Sequence, residues 1–248
     1  MRLDVYFGGA EVTPAETQGR VVLVLDVLRA STSIAVALSN GARAIVPCES
    51  AEEAITLSRS FERSDVRLAG EMRMLPIPGF DLGNSPGDFS AAAVDGKTIF
   101  LATTNGTRLL TGIQGARDVL VGAFVNFRAV LAMLRAAARA GADIAITCAG
   151  RDRKFALEDA VCAGRFVRGI RRRLTNIEVN DAARVAALLD RRYGVDVEAA
   201  LRESEHGRAL VEAGFAADVA LCAAVDSIPI LPVYADRQIT KVGTERGR

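Results

Sequence analysis

Two short polar segments, each following a run of strand-forming residues, carry the residue types that hold a phosphate group. They are Asp26-Val27-Leu28-Arg29-Ala30-Ser31-Thr32 and Thr103-Thr104-Asn105-Gly106-Thr107-Arg108. In each, an apolar run, Val21 to Leu25 or Ile99 to Ala102, leads into hydroxyls and one arginine and then into a helical pattern. The first N–H groups of a helix lack intrahelical partners and favour anions, and a guanidinium forks onto two oxygens. The segments are therefore expected to form two halves of one anion pocket. Arg29, Ser31, Thr32, Thr103, Thr104, Asn105, Gly106, Thr107 and Arg108 are its expected substrate contacts.

Asp26 follows five apolar residues, which places it at the carboxyl end of a central strand, where open α/β sheets bind ligands. A carboxylate there needs a cation. It reads as a hard-metal ligand first, a nucleophile second, and otherwise as a helix cap or a partner of Arg29. Phosphatases of the haloacid dehalogenase type also begin with a strand-end Asp, but they place a second Asp where this chain has Leu28. The Thr103 segment lacks the Gly-Lys-Ser/Thr ending of a Walker A loop.

Three further segments supply carboxylates and amides. In Gly79 to Pro86, Asp81 and Asn84 are candidate oxygen ligands or substrate contacts, while Ser85-Pro86 suits a helix cap and first turn. Glu71 joins them if the strand ends converge. After Cys148-Ala149-Gly150-Arg151 comes the acidic helix start Glu158-Asp159, which also complements a helix dipole. Neighbours on a helix point roughly 100° apart, so one of the pair is expected to face a site, and Asp159 is taken as that one. Cys148 is as consistent with packing as with a nucleophile. Ser204 to Arg208 reads as a capped loop with His206 at the pocket rim.

The elements that must position these groups alternate up to about Cys148. Strands are expected at Leu3 to Phe7, Val21 to Leu25, Ala44 to Pro47, Val66 to Ala69, Thr98 to Ala102, Val119 to Val121 and Asp143 to Thr147. Helices are expected over Ser31 to Asn40, from the Ser50-x-x-Glu53 capping box to Phe61, and over Asn126 to Ala140. Beyond Cys148 the pattern turns helical: Ala156 to Leu174, Asp181 to Tyr193, Val197 to Glu203 and Arg208 to Ala224. Ile228 to Val233 and Arg237 to Val242 could supply final strands, and Gly243 to Arg248 is expected to fray. The fold class is α/β: a layered α/β/α arrangement with a mostly parallel or mixed central sheet and a helix-rich C-terminal part. One domain over 1–248 is expected, with subdomains at 1–150 and 151–248.

Bulk properties narrow the partner. A formal net charge of +1 gives no pull toward nucleic acid or anionic membrane. Arg171-Arg172-Arg173 and Arg191-Arg192 read as solvated helix ends. No apolar stretch nears the ~20 residues that span a bilayer, and no apolar signal core opens the chain, so a cytoplasmic protein is expected. The four cysteines are too scattered for zinc and read as small buried hydrophobes. The single histidine excludes histidine-cluster metal sites. A small anionic partner is expected, and the sequence leaves open whether the chain forms a homo-oligomer.

Taken in order, the Asp26 to Thr32, Gly79 to Pro86, Thr103 to Arg108, Cys148-Ala149-Gly150 and Ala156 to Asp159 segments resemble the 2-phosphosulfolactate phosphatase family. The likeness extends to Gly122 to Asn126 and Ser204 to Gly207. It implies a magnesium-dependent phosphatase that hydrolyses (2R)-2-phospho-3-sulfolactate to 3-sulfolactate and phosphate, a step toward coenzyme M. Arg29, Arg108 and Arg151 would then hold the anionic substrate. Asp26, Asp81 and Asp159 would hold the metal, with Asp26, Glu71 and Asp159 as the catalytic carboxylates. The stretch Met72 to Pro78 departs from the family's glycine-containing version, and substrate choice could differ there. A binding or sensor protein using the same pocket without turnover is the alternative.

Overall fold

The computed structural model describes residues 1–172, 174 and 176–243. Its strands are β1 (Arg2–Tyr6), β2 (Val21–Leu25), β3 (Ala44–Cys48), β4 (Val66–Met72), β5 (Leu75–Pro76), β6 (Thr98–Ala102), β7 (Asp118–Gly122), β8 (Ile144–Cys148), β9 (Glu178–Val179), β10 (Pro232–Ala235) and β11 (Gln238–Lys241). The helices are α1 (Pro14–Thr17), α2 (Ala30–Ser39), α3 (Ala51–Ser58), α4 (Ala91–Val94), α5 (Gly106–Gly112), α6 (Phe127–Arg139), α7 (Leu157–Arg171), α8 (Asp181–Tyr193), α9 (Val197–Glu203), α10 (Glu205–Glu212) and α11 (Ala216–Ala223). The α/β class and the helix-rich C-terminal part match the sequence expectation.

All the strands join one mixed sheet in the order β5-β4-β6-β3-β11-β10-β7-β2-β8-β1-β9. β4, β6 and β3 run parallel, as do β7, β2, β8, β1 and β9. The β10–β11 hairpin lies between β7 and β3 and pairs antiparallel with both. Every residue of β2 is buried because helices cover both its faces. Val21, Leu23 and Leu25 pack with α6, α7 and α8, through residues such as Leu134, Phe166 and Ala186. Val22 and Val24 face the other way, toward Ile34 and Leu38 of α2 and Leu110 of α5.

That second face is concave. Ile45, Ala69, Ile99, Val121, Ala145 and Ile239, drawn from β3, β4, β6, β7, β8 and β11, all meet the same cluster around α2 and α5. In a flat sheet β2 and β6, five strand spacings apart in the order, would lie roughly 24 Å from one another. Curling around the two helices instead brings the loop after β6 against the end of β2.

Several local expectations needed correction. The helix expected over Arg208 to Ala224 is two, α10 and α11, divided at Gly214. Gly214 takes a φ of +90°, and Phe215 N donates to Leu210 O at 2.8 Å, a turn that closes α10 and cannot continue as helix. Ser204 caps α10 by accepting from Gly207 N, so the helix starts at Glu205 and includes His206 in its first turn. Ser50 does cap α3 through Glu53 N, but the Glu53 carboxylate reaches back to Glu49 N. Ser85-Pro86 opens only a short 3-10 turn, and the Ser85 hydroxyl donates to Asp218. The four cysteines are free and buried. Burial pushes the Cys148 thiol well above its ordinary range, which favours packing over nucleophilic chemistry. Arg173 and residues 244–248, the bulk of the expected frayed end, lie outside the described residues. Among the described residues no helix is long and apolar enough to cross a membrane.

Candidate active site

The carboxyl ends of β2, β4, β6 and β8 converge on a cavity of about 190 Å³. Asp26 closes it from below. Its backbone N–H donates to Ser31 Oγ at 2.9 Å, and its Oδ1 accepts from Ala30 N, the first N–H of α2, at 3.3 Å. The protein's own carboxylate thus occupies the helix start that the sequence suggested would receive a substrate anion. Burial raises the Asp26 pKa from 3.8 to about 6, and Glu71 and Glu158 add to the rise against the opposing influence of His206 and Ala30 N–H.

The Thr103 loop forms the facing wall. Gly106 is required there because a Cβ would stand 2.6 Å from Asp26 Oδ2 and 3.1 Å from the Ala30 Cβ. Gly106→Ala is expected to displace the Asp26 carboxylate, cutting any turnover by roughly tenfold or more and costing about 1–3 kcal/mol of stability. Steady-state kinetics and a thermal melt check both effects. Thr103 and Thr104 line the cavity, as do Asn105 and Asn84. Asn84 Oδ1 and Asn105 Oδ1 are buried and have no hydrogen-bond partner. A buried amide oxygen left unpaired costs about 1–3 kcal/mol, so both are set to receive a ligand.

Arginines complete the rim. Arg29 lines the cavity, but its Nη1 pairs with Asp218 Oδ2 at 2.7 Å and its Nη2 donates to Met74 O at 2.7 Å. Its guanidinium also lies 4.5 Å over the Phe215 ring. The alternative in which Asp26 pairs with Arg29 is not seen; Arg29 pairs with Asp218 instead. Arg151 lines the opposite side while bonding Glu205 at 2.9 Å. Arg73 also borders the cavity. It shares with Met74 the turn between β4 and β5, and both have positive φ, as a two-residue type I′ turn requires. Glu71 braces that turn, accepting from Met74 N at 2.8 Å through one oxygen and from Thr104 N at 2.8 Å through the other.

Other expected site residues hold the walls rather than the cavity. Thr32 Oγ donates to Val27 O, and Thr107 Oγ donates to Thr103 O. Ser31 is spent on Asp26 N. Asp159 does not line the cavity: its Oδ1 accepts from Val27 N at 2.8 Å and its Oδ2 from Gly150 N at 3.0 Å, tying the loops after β2 and β8 together. Burial, with Glu158 and Asp26 nearby, raises its pKa well above the carboxylate range. Asp81 is turned away to Arg63 and Leu68 N, outside the cavity. Arg108 is exposed and lines a separate pocket with Arg153 and Glu53. Arg73, Asp152 and the supporting Asp218 were not anticipated from the sequence.

The donor set fits a hard cation. Among the described residues no three His, Cys, Asp or Glu side chains stand together as a metal cage. Magnesium needs no such cage, because it keeps several waters and binds through one or two carboxylates plus substrate phosphate. Asp26 and the unpartnered oxygens of Asn84 and Asn105 are oxygen donors of that kind.

Comparison with known proteins gives the family. A family model described as 2-phosphosulpholactate phosphatase matches residues 9–237. A protein of Symbiobacterium thermophilum, named probable 2-phosphosulfolactate phosphatase, is 41% identical over 229 residues, covering 92% of this chain and 97% of its own. Similarly named proteins of Carboxydothermus hydrogenoformans and Caldanaerobacter subterraneus subsp. tengcongensis are 38% and 35% identical over 232 residues each. Each comparison covers 94% of this chain, and 92% and 95% of the respective relative. The chain belongs to the 2-phosphosulpholactate phosphatase family.

Proposed function

We propose that the cavity hydrolyses (2R)-2-phospho-3-sulfolactate, or a similarly small anionic phosphate monoester, to the alcohol and inorganic phosphate with magnesium as cofactor. Family membership makes the protein a phosphoric monoester hydrolase. The observation that carries the finer reading is the buried Asp26 carboxylate facing two unpartnered amide oxygens inside a ring of arginines.

Arg73 and Arg151 offer guanidinium forks to the several anionic groups of such a substrate. Arg29 spends one N–H each on Asp218 and Met74, which leaves three of its five donors for the ligand. The Thr103 and Thr104 hydroxyls stand at the same wall. Magnesium, held by Asp26, Asn84 and Asn105, would offset charge on the phosphoryl oxygens. The Asp26 carboxylate, which lines the cavity, would also orient the attacking water. Glu71 and Asp159 act one step back, by fixing the Thr104 N–H and the β2 and β8 loops.

Phosphate release from a panel of monoesters, with and without magnesium, tests the proposal. Chelation with EDTA is expected to reduce release at least a hundredfold, and millimolar magnesium to restore it. Binding of such esters without release under any metal would refute it. With a chiral phosphorothioate ester, inversion at phosphorus is expected from direct attack by water. Retention would mean two displacements through an aspartyl-phosphate on Asp26.

A further inference from the structure

One pair at the cavity has no part in the reading above. His206, the only histidine of the chain, lines the cavity beside Asp26 and Arg151. Its Nδ1 lies 3.3 Å from Glu158 Oε1, with side-chain exposures of 13% for the histidine and 3% for the glutamate. With Nδ1 turned to Glu158, the nitrogen left for the cavity is Nε2.

Both partners are fixed from behind. Ser204 caps α10 and so places His206 in its first turn, and the Arg151–Glu205 pair ties that turn to the loop after β8. Glu158 stands in the first turn of α7 next to Asp159, whose oxygens are anchored by Val27 N and Gly150 N. A carboxylate buried beside one ring nitrogen selects the Nδ1–H tautomer and fixes the ring with Nε2 toward the cavity.

Resting on the phosphatase reading, we infer that His206 is the general acid that protonates the leaving ester oxygen, and that Glu158 positions it. As the water oxygen bonds to phosphorus, the bond from phosphorus to the ester oxygen breaks. The Nε2 proton passes to that oxygen, which leaves as the alcohol. His206 remains neutral with its Nδ1–H donated to Glu158. The proton lost by the water, taken up by the phosphate, returns through solvent, and Nε2 is reprotonated. The reaction then balances as ester plus water to alcohol plus phosphate.

An alkoxide leaves poorly without a proton, whereas 4-nitrophenolate needs none. The test therefore compares kcat/KM for a secondary alkyl phosphate with that for 4-nitrophenyl phosphate. The ratio cancels any loss of folded protein. For His206→Gln the alkyl-to-aryl ratio is expected to fall about thirtyfold or more, within the range that general acids contribute. Glu158→Gln is expected to lower it in the same direction by about tenfold, and serves alone if the histidine variant does not fold. An unchanged ratio in the folded variants overturns the assignment while leaving the phosphatase reading intact. Failure of the unaltered protein to release phosphate from any ester of the wider panel, under any metal, removes that reading and this role together.

Discussion

Replacing Asp26 with Asn should abolish phosphate release, by about a thousandfold or more, and at the same time make the metal-free protein more stable at neutral pH. The second half follows from the raised pKa. In the unfolded chain Asp26 titrates near 3.8, and in the fold near 6. Below the lower value both states hold the proton and the residue costs nothing. Between the two the unfolded chain releases a proton that the fold retains, and above pH 6 the full penalty, on the order of 3 kcal/mol, opposes folding. Asparagine keeps the shape and removes the charge. Calorimetry of EDTA-treated protein should show the variant melting higher at pH 7.5 and level with the parent at pH 3.5. Magnesium should raise the midpoint of the parent alone. Near-normal turnover by the variant would remove Asp26 from the mechanism.

Arg29→Ala should be the most destabilising single change at the site. Arg29 and Asp218 are both buried, and the substitution strands the Asp218 carboxylate with only the Ser85 hydroxyl, 2.6 Å away. It also removes the bond to Met74 O and the contact over Phe215. Breaking a buried ion pair from one side costs about 3–5 kcal/mol. Denaturant unfolding should register that loss. The double change Arg29→Met with Asp218→Leu should recover most of the stability, because neither charge is then left alone, yet restore no phosphate release. Equal stability losses in the single and double variants would show that the pair is not coupled as described.

What the sequence disclosed follows from how each group is held. β2 was readable because burial on both faces demands a continuous apolar run, and its end located Asp26. The Thr103 loop was readable for the same reason, but the direction of each side chain was not. Thr103 and Thr107 turn inward and bond one another, while Arg108, one residue and roughly 100° further round α5, turns out. Ser31 and Thr32 have the composition of ligand donors and spend it on the backbone. Arg73 was hidden because type I′ turns usually carry Asn or Gly, and here Glu71 holds an Arg-Met pair in that shape instead. Asp218 was hidden by distance, lying 189 residues from the arginine it meets. The choice between Glu158 and Asp159 assumed that only one would face the site. Both are buried because the first turn of α7 is enclosed by the β2 loop, the β8 loop and α10.

The position of the β10–β11 hairpin bears on how the protein comes into being. Asp26 belongs to the five-strand parallel block and Thr103 and Glu71 to the other, and within the sheet the two blocks are joined through a hairpin that begins at Pro232. A nascent chain that has emerged as far as His206 already holds every group that lines the cavity, together with α2 and α5, but lacks the strands that join the two halves of the sheet. Backbone continuity across the sheet is thus completed by one of the last segments made, and a chain cut short before Pro232 would carry the whole inventory of the site on a divided sheet.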